Sequence, residues 1–132
     1  VGSSGLLSGG SITWGATASG DTIKARLVAS SATVNQDDTV MTPWTQVTST
    51  DQTLVNKSKA TNTTDNRIQF TNSADIVWTA VASGTVRYVG IFKLVTNDAD
   101  SIPIALIDIT SCVANGSDIT LPAQTALFYS QQ

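Results

Sequence analysis

The chain has no histidine, no glutamate and one cysteine, Cys112, in 132 residues. Without histidine there is no Ser-His-Asp or Cys-His relay, no imidazole zinc ligand and no His-based general acid or base. A lone cysteine excludes an intrachain disulfide and fits a reducing compartment at least as well as a secreted one. Lacking an imidazole partner, it reads as a small apolar residue rather than a nucleophile. The missing glutamate removes one of the better helix formers. All ten acids are aspartates, set against seven bases for a net charge of -3. That mild acidity argues against a phosphate-binding surface, so no nucleic-acid partner is expected. Charged residues are 13% of the chain, about half the usual share, which suits a surface packed against neighbours. No apolar run approaches the roughly 20 residues of a membrane span, and no basic stretch leads into an apolar one at the N-terminus. A mature, soluble chain with no membrane partner is therefore the expectation.

Threonine, valine, serine and asparagine dominate instead, which is strand and turn chemistry. A chain of this length folds most simply as one domain that buries roughly two-thirds of its unfolded surface. Short strand patterns recur at 11–16, 22–29, 53–57, 67–71, 75–81, 85–95, 102–110, 118–121 and 125–129. The turns between them are explicit: TNTTDN at 61–66, TNSA at 71–74, ASG at 82–84, TNDAD at 96–100 and ANGS at 114–117. No segment has a helical period. So many short strands need two packed layers, and the expected fold is all-β: an antiparallel β-sandwich of jelly-roll or Greek-key type.

In the expected organisation, residues 1–10 form an extended N-terminal arm and 11–132 a single β-sandwich domain. The opening VGSSGLLSGGS is flexible by composition, yet Leu6 and Leu7 are embedded in it. A cloning remnant, a disordered tail and an arm that orders on a neighbouring subunit all fit, and the leucine pair favours the arm. The 22–29 strand alternates, with Ile23, Ala25, Leu27 and Ala29 on one side and Lys24 and Arg26 on a side expected to face solvent. Residues 31–52 are the least regular part; Pro43 argues against a central strand, and one extended piece is expected around Trp44–Val47. The stretch GTVRYVGIFKLV, 84–95, is apolar on both sides: Val86, Tyr88, Gly90, Phe92 and Leu94 on one, Val89 and Ile91 at the centre of the other. Either the 31–52 loop covers Val89 and Ile91, or a neighbouring subunit does.

Aspartate pairs are the remaining route to catalysis. Asp37 with Asp38, and Asp98 with Asp100, lie in turn-like sequence where aspartate stabilises the turn itself. NDAD at 97–100 lacks the glycine and distal glutamate of an EF-hand loop, and the N-terminal glycines follow no strand and precede no helix. No catalytic residue, metal ligand or cofactor is expected.

Four segments carry a resemblance: DTIKARLV at 21–28, RIQFTNSADIVWTAV at 67–81, VRYVGIFK at 86–93 and SIPIALIDI at 101–109. In this order they resemble a group of small virion structural proteins of tailed bacteriophages, across most of the chain after the arm. The 31–52 segment and the C-terminal LPAQTALFYS depart from that pattern. The resemblance implies a capsid decoration, or cement, protein on the outer capsid surface of the virion, made in the host cytoplasm and bridging subunits of the major capsid protein. It also implies a homo-oligomer, with a trimer favoured.

On that reading Leu6, Leu7 and Trp14 anchor the arm and Trp44 the loop, with Val89 and Ile91 on a subunit interface. Trp14 also fits as a plug on its own core. A tail, neck or fibre-associated protein, or a carbohydrate-binding host-attachment module with Trp44 stacked on sugar, is the competing expectation.

Overall fold

A computed structural model describes residues 21–131 apart from 36, 48 and 49. The described residues form strands and turns with no helix. Nine strands follow in order: β1 (Ile23–Ala29), β2 (Gln52–Thr53), β3 (Lys57–Asn62), β4 (Arg67–Asn72), β5 (Ile76–Trp78), β6 (Thr85–Lys93), β7 (Ile102–Val113), β8 (Ile119–Leu121) and β9 (Gln124–Gln131). They make three antiparallel sheets, ordered β2-β1-β6-β7, β3-β4-β9 and β5-β8.

Alternation along β1 sends Ile23, Ala25 and Leu27 to one side, where they are fully buried. There they meet Val89 and Ile91 of β6, Ile104 of β7, Ile68 and Phe70 of β4, and Ile76 and Trp78 of β5. Each large apolar side chain buried in this main core contributes about 1.5–3 kcal/mol. The opposite side of β1 and β6 carries a second, smaller core of Val28, Met41, Trp44 and Phe92, flanked by Ala32, Val34, Tyr88, Leu94 and Leu106.

Several boundaries differ from the sequence expectation, each for a local reason. The single strand expected at 53–57 is interrupted by Asn56, whose φ of 56° is left-handed. Two strands result, β2 before it and β3 after. β3 runs through 57–62, partly where a turn was expected, and its polar residues are those of a sheet edge whose backbone pairs with β4. Against β1, β6 carries one extra residue between Val86 and Tyr88, which pair with the successive Ala29 and Val28. Val86 therefore points into the main core beside Val89 and Ile91, not outward with Tyr88 and Phe92 as strict alternation requires. The strand expected at 11–16 and the arm at 1–10 lie outside the described residues.

Candidate functional site

The feature that sets this sheet apart is on its outer side, where residues 31–47 fold down onto β1 and β6. Gly90 makes the close approach possible: a Cβ there would lie 2.6 Å from Trp44 Cε3 and 3.2 Å from Val28 Cγ2. The indole lies against the bare backbone of β6 and is fully buried. Its Nε1–H donates to Asp38 Oδ2 at 2.9 Å, and the same oxygen accepts the Asn35 N–H at 2.8 Å. The loop then returns along β1: the Ala29 N–H donates to the Thr45 carbonyl and the Val47 N–H to the Leu27 carbonyl, at 2.8 and 3.1 Å. Val28 and Gln46 are bridged between them. The expected extended piece at 44–47 is this short run.

Arg26 locks the arrangement. It is paired across the sheet with Gly90 and is 4% exposed, so the expectation that it reaches solvent is corrected. All five guanidinium N–H groups find acceptors. Nε and Nη2 donate to the Asp51 carboxylate at 2.9 and 2.7 Å. Nη1 and Nη2 donate to the Asp98 carboxylate at 2.9 and 2.8 Å, and Nη1 also to the Trp44 carbonyl at 3.1 Å. The guanidinium carbon sits 5.2 Å from the Phe92 ring centre, an added cation–π contact. Burial alone would lower the Arg26 pKa, but hydrogen bonds and charges from both aspartates outweigh it and hold the group firmly protonated.

Asp98 works at both ends: its carboxylate holds Arg26, and its carbonyl accepts the Met41 N–H at 2.9 Å. The 96–100 turn that carries it is held by Asp100 Oδ1, which accepts the Thr96 and Asn97 N–H groups at 3.0 and 2.8 Å. Those bonds, chiefly from Asn97, pull the Asp100 pKa below the ordinary carboxylate value. The expectation that Asp100 stabilises its own turn describes this geometry, while the neighbouring Asp98 crosses to β1.

The sequence-selected interface residues fall in different places. Leu6, Leu7 and Trp14 lie outside the described residues. Val89 and Ile91 are 2% and 0% exposed within the main core, so the idea that the loop or a second subunit covers them is corrected. The loop does cover a sheet face, but the opposite one. Trp44 is wholly buried too, which removes it as a sugar-stacking platform. Arg87 and Lys93 engage partners within the chain: Arg87 pairs with Asp108 at 2.9 Å and lies over the Tyr88 ring, and Lys93 reaches Asp21 at 3.4 Å.

The sequence reading missed Arg26 and Asp51 as a pair. The available signal was one arginine inside the apolar run ARLV, two strands' length from acid-bearing turns, but nothing in the spacing joins residue 26 to 51 and 98. Chemically, the site is an ion-paired clamp under a tryptophan. Asp51 and Asp98 are engaged by a guanidinium, and among the described residues no group of three or more His, Cys or Asp side chains is placed to hold a metal. No known family pattern, curated protein or solved structure matches the chain.

Proposed function

We propose that this chain is a structural protein of a tailed-phage particle that binds the outer surface of the capsid and cements the lattice of major capsid subunits. Its three sheets are read as layers of an antiparallel β-sandwich of jelly-roll or Greek-key type, and residues 1–10 as the arm that engages a neighbouring subunit, within a homo-oligomer such as a trimer. The observation that carries the reading is the closure of the outer sheet face by residues 31–47. A long excursion on a β scaffold is where partner contacts or lids are usually built. Here it is held by its own core and by a fully hydrogen-bonded Arg26, so it presents a fixed surface instead of opening and closing over a site. Rigid presentation lowers the ordering cost of each contact in a repeated lattice.

The copy number of the chain in purified particles tests this directly. Quantitative mass spectrometry is expected to find it in simple ratio to the major capsid protein. A handful of copies per particle would assign it to the neck or a fibre, and its absence from particles would overturn the proposal. Removing residues 1–10 is expected to weaken capsid binding, and unchanged affinity would refute the role of the arm.

A further inference from the structure

Lys57 and Asn72 stand directly opposite each other on β3 and β4, and both are buried, at 5% and 2% exposure. Directly opposed residues of antiparallel strands project from the same side of the sheet, with Cβ atoms about 4.5–5.5 Å apart. On β4 the alternating series Ile68, Phe70, Asn72 is buried throughout, so a carboxamide occupies a place where the pattern calls for a hydrocarbon. Neither group is well satisfied. The Lys57 ammonium has the Leu54 carbonyl at 3.4 Å, a long contact for a group with three donors. Asn72 Nδ2 donates to the Ala74 carbonyl, but Asn72 Oδ1 has no hydrogen-bond partner among the described residues. Buried polar groups are normally paired, and an orphaned carboxamide oxygen facing a buried lysine held by one long contact calls for a cause.

We propose that Lys57 and Asn72 are the two ends of an intramolecular isopeptide bond, Nζ to Cγ, that staples the edge strand β3 to β4. The carboxamide turns away from Ala74 so that its carbon meets Nζ. The lone pair of the neutral amine attacks Cγ, forming the new C–N bond. The proton released from Nζ passes to a carboxylate and on to the departing amide nitrogen. The Cγ–Nδ2 bond then breaks and ammonia leaves. From a lysine ammonium and a carboxamide the products are a secondary amide and an ammonium ion, so atoms and charge balance and no oxidant is needed. Burial pushes the Lys57 pKa down, which raises the neutral, nucleophilic fraction, and Asp21 is near enough for its charge to act on the ammonium in the opposite sense. Asp21, whose carboxylate also pairs with Lys93 at 3.4 Å, is the group proposed to carry the proton. The product replaces a buried charge with a neutral amide. It also ties down a strand that borders its sheet on one side only.

The test is the intact mass of the full-length protein after denaturation. The wild type is expected to weigh less than its sequence by one ammonia, and peptide mapping to recover the segments bearing Lys57 and Asn72 as one branched species. Lys57→Arg and Asn72→Ala are each expected to return the full sequence mass. A wild-type mass equal to the sequence overturns the proposal. So does a deficit that persists in Lys57→Arg, because succinimide formation at Asn115–Gly116 loses the same ammonia without a staple.

Discussion

Replacing Arg26 with methionine keeps most of the volume of the stem and deletes the guanidinium. Removing one partner of a buried ion pair costs about 3–5 kcal/mol, because the other charge is left without compensation. Two features of this site reduce that figure. The Asp98 side chain is 50% exposed and regains water, whereas Asp51, at 16%, does so far less. Methionine also preserves contact with the Phe92 ring, through sulfur rather than a cation. The expected loss is therefore about 2–3 kcal/mol. Equilibrium urea denaturation should show it as a lower midpoint with an unchanged slope. Arg26→Lys retains the charge but not the planar fork that serves two carboxylates and a carbonyl, and should lose about 1–2 kcal/mol. Asp51→Asn should cost more than Asp98→Asn, following their exposure. An Arg26→Met protein within about 0.5 kcal/mol of wild type would refute the clamp, since that is the range of an ordinary surface substitution.

Gly90→Ala drives a methyl into the Trp44 ring and should cost about 1–3 kcal/mol; made in a Trp44→Ala background, where the obstacle is gone, the same change should cost well under 1 kcal/mol in a double-mutant cycle. Thr110, in the bulged part of β7, has a φ of 74° that a β-branched residue rarely adopts, so Thr110→Gly should raise stability by about 1 kcal/mol in the same urea assay. The Asp108 carboxyl accepts the Thr110 N–H and an Arg87 hydrogen bond, which hold its pKa below the ordinary value of 3.8. A depressed folded-state pKa gives stability that is present above the unfolded value and lost as pH falls through the folded one. The stability gap between wild type and Asp108→Asn should thus be open above the ordinary carboxylate value and close as the pH falls below it, and a gap that widens in acid would contradict this assignment.

The strands rich in β-branched residues were legible because burial on one or both sides writes itself into alternation: β1, β4, β6 and the first part of β7 lie close to where the sequence places them. β3 was not, because KSKATN is held by backbone pairing at an edge, and backbone bonds leave no mark in side-chain pattern. The side to which Val86 points was misread for a related reason: a bulge of β6 against β1 shifts the period by one, and nothing in VRY announces it. Trp44 was legible as the start of an extended piece, but not as the buried cover of β6, since that depends on Gly90 lying opposite. Arg26 was the largest omission. A charge on the polar side of an alternating strand ordinarily faces water, and only the folded loop, bringing Asp51 and Asp98 from 25 and 72 residues away in sequence, turns it into a buried clamp.

The chain itself, and not a second subunit, closes the outer face of the sheet with Trp44. The exchange rate of the Trp44 indole Nε1–H in the isolated protein, followed by NMR over a range of protein concentrations, tests it most directly. Slow exchange that does not change with concentration is expected, because the Asp38 carboxylate and the second core protect that proton within one chain. Rapid exchange, or protection that grows with protein concentration, would contradict it.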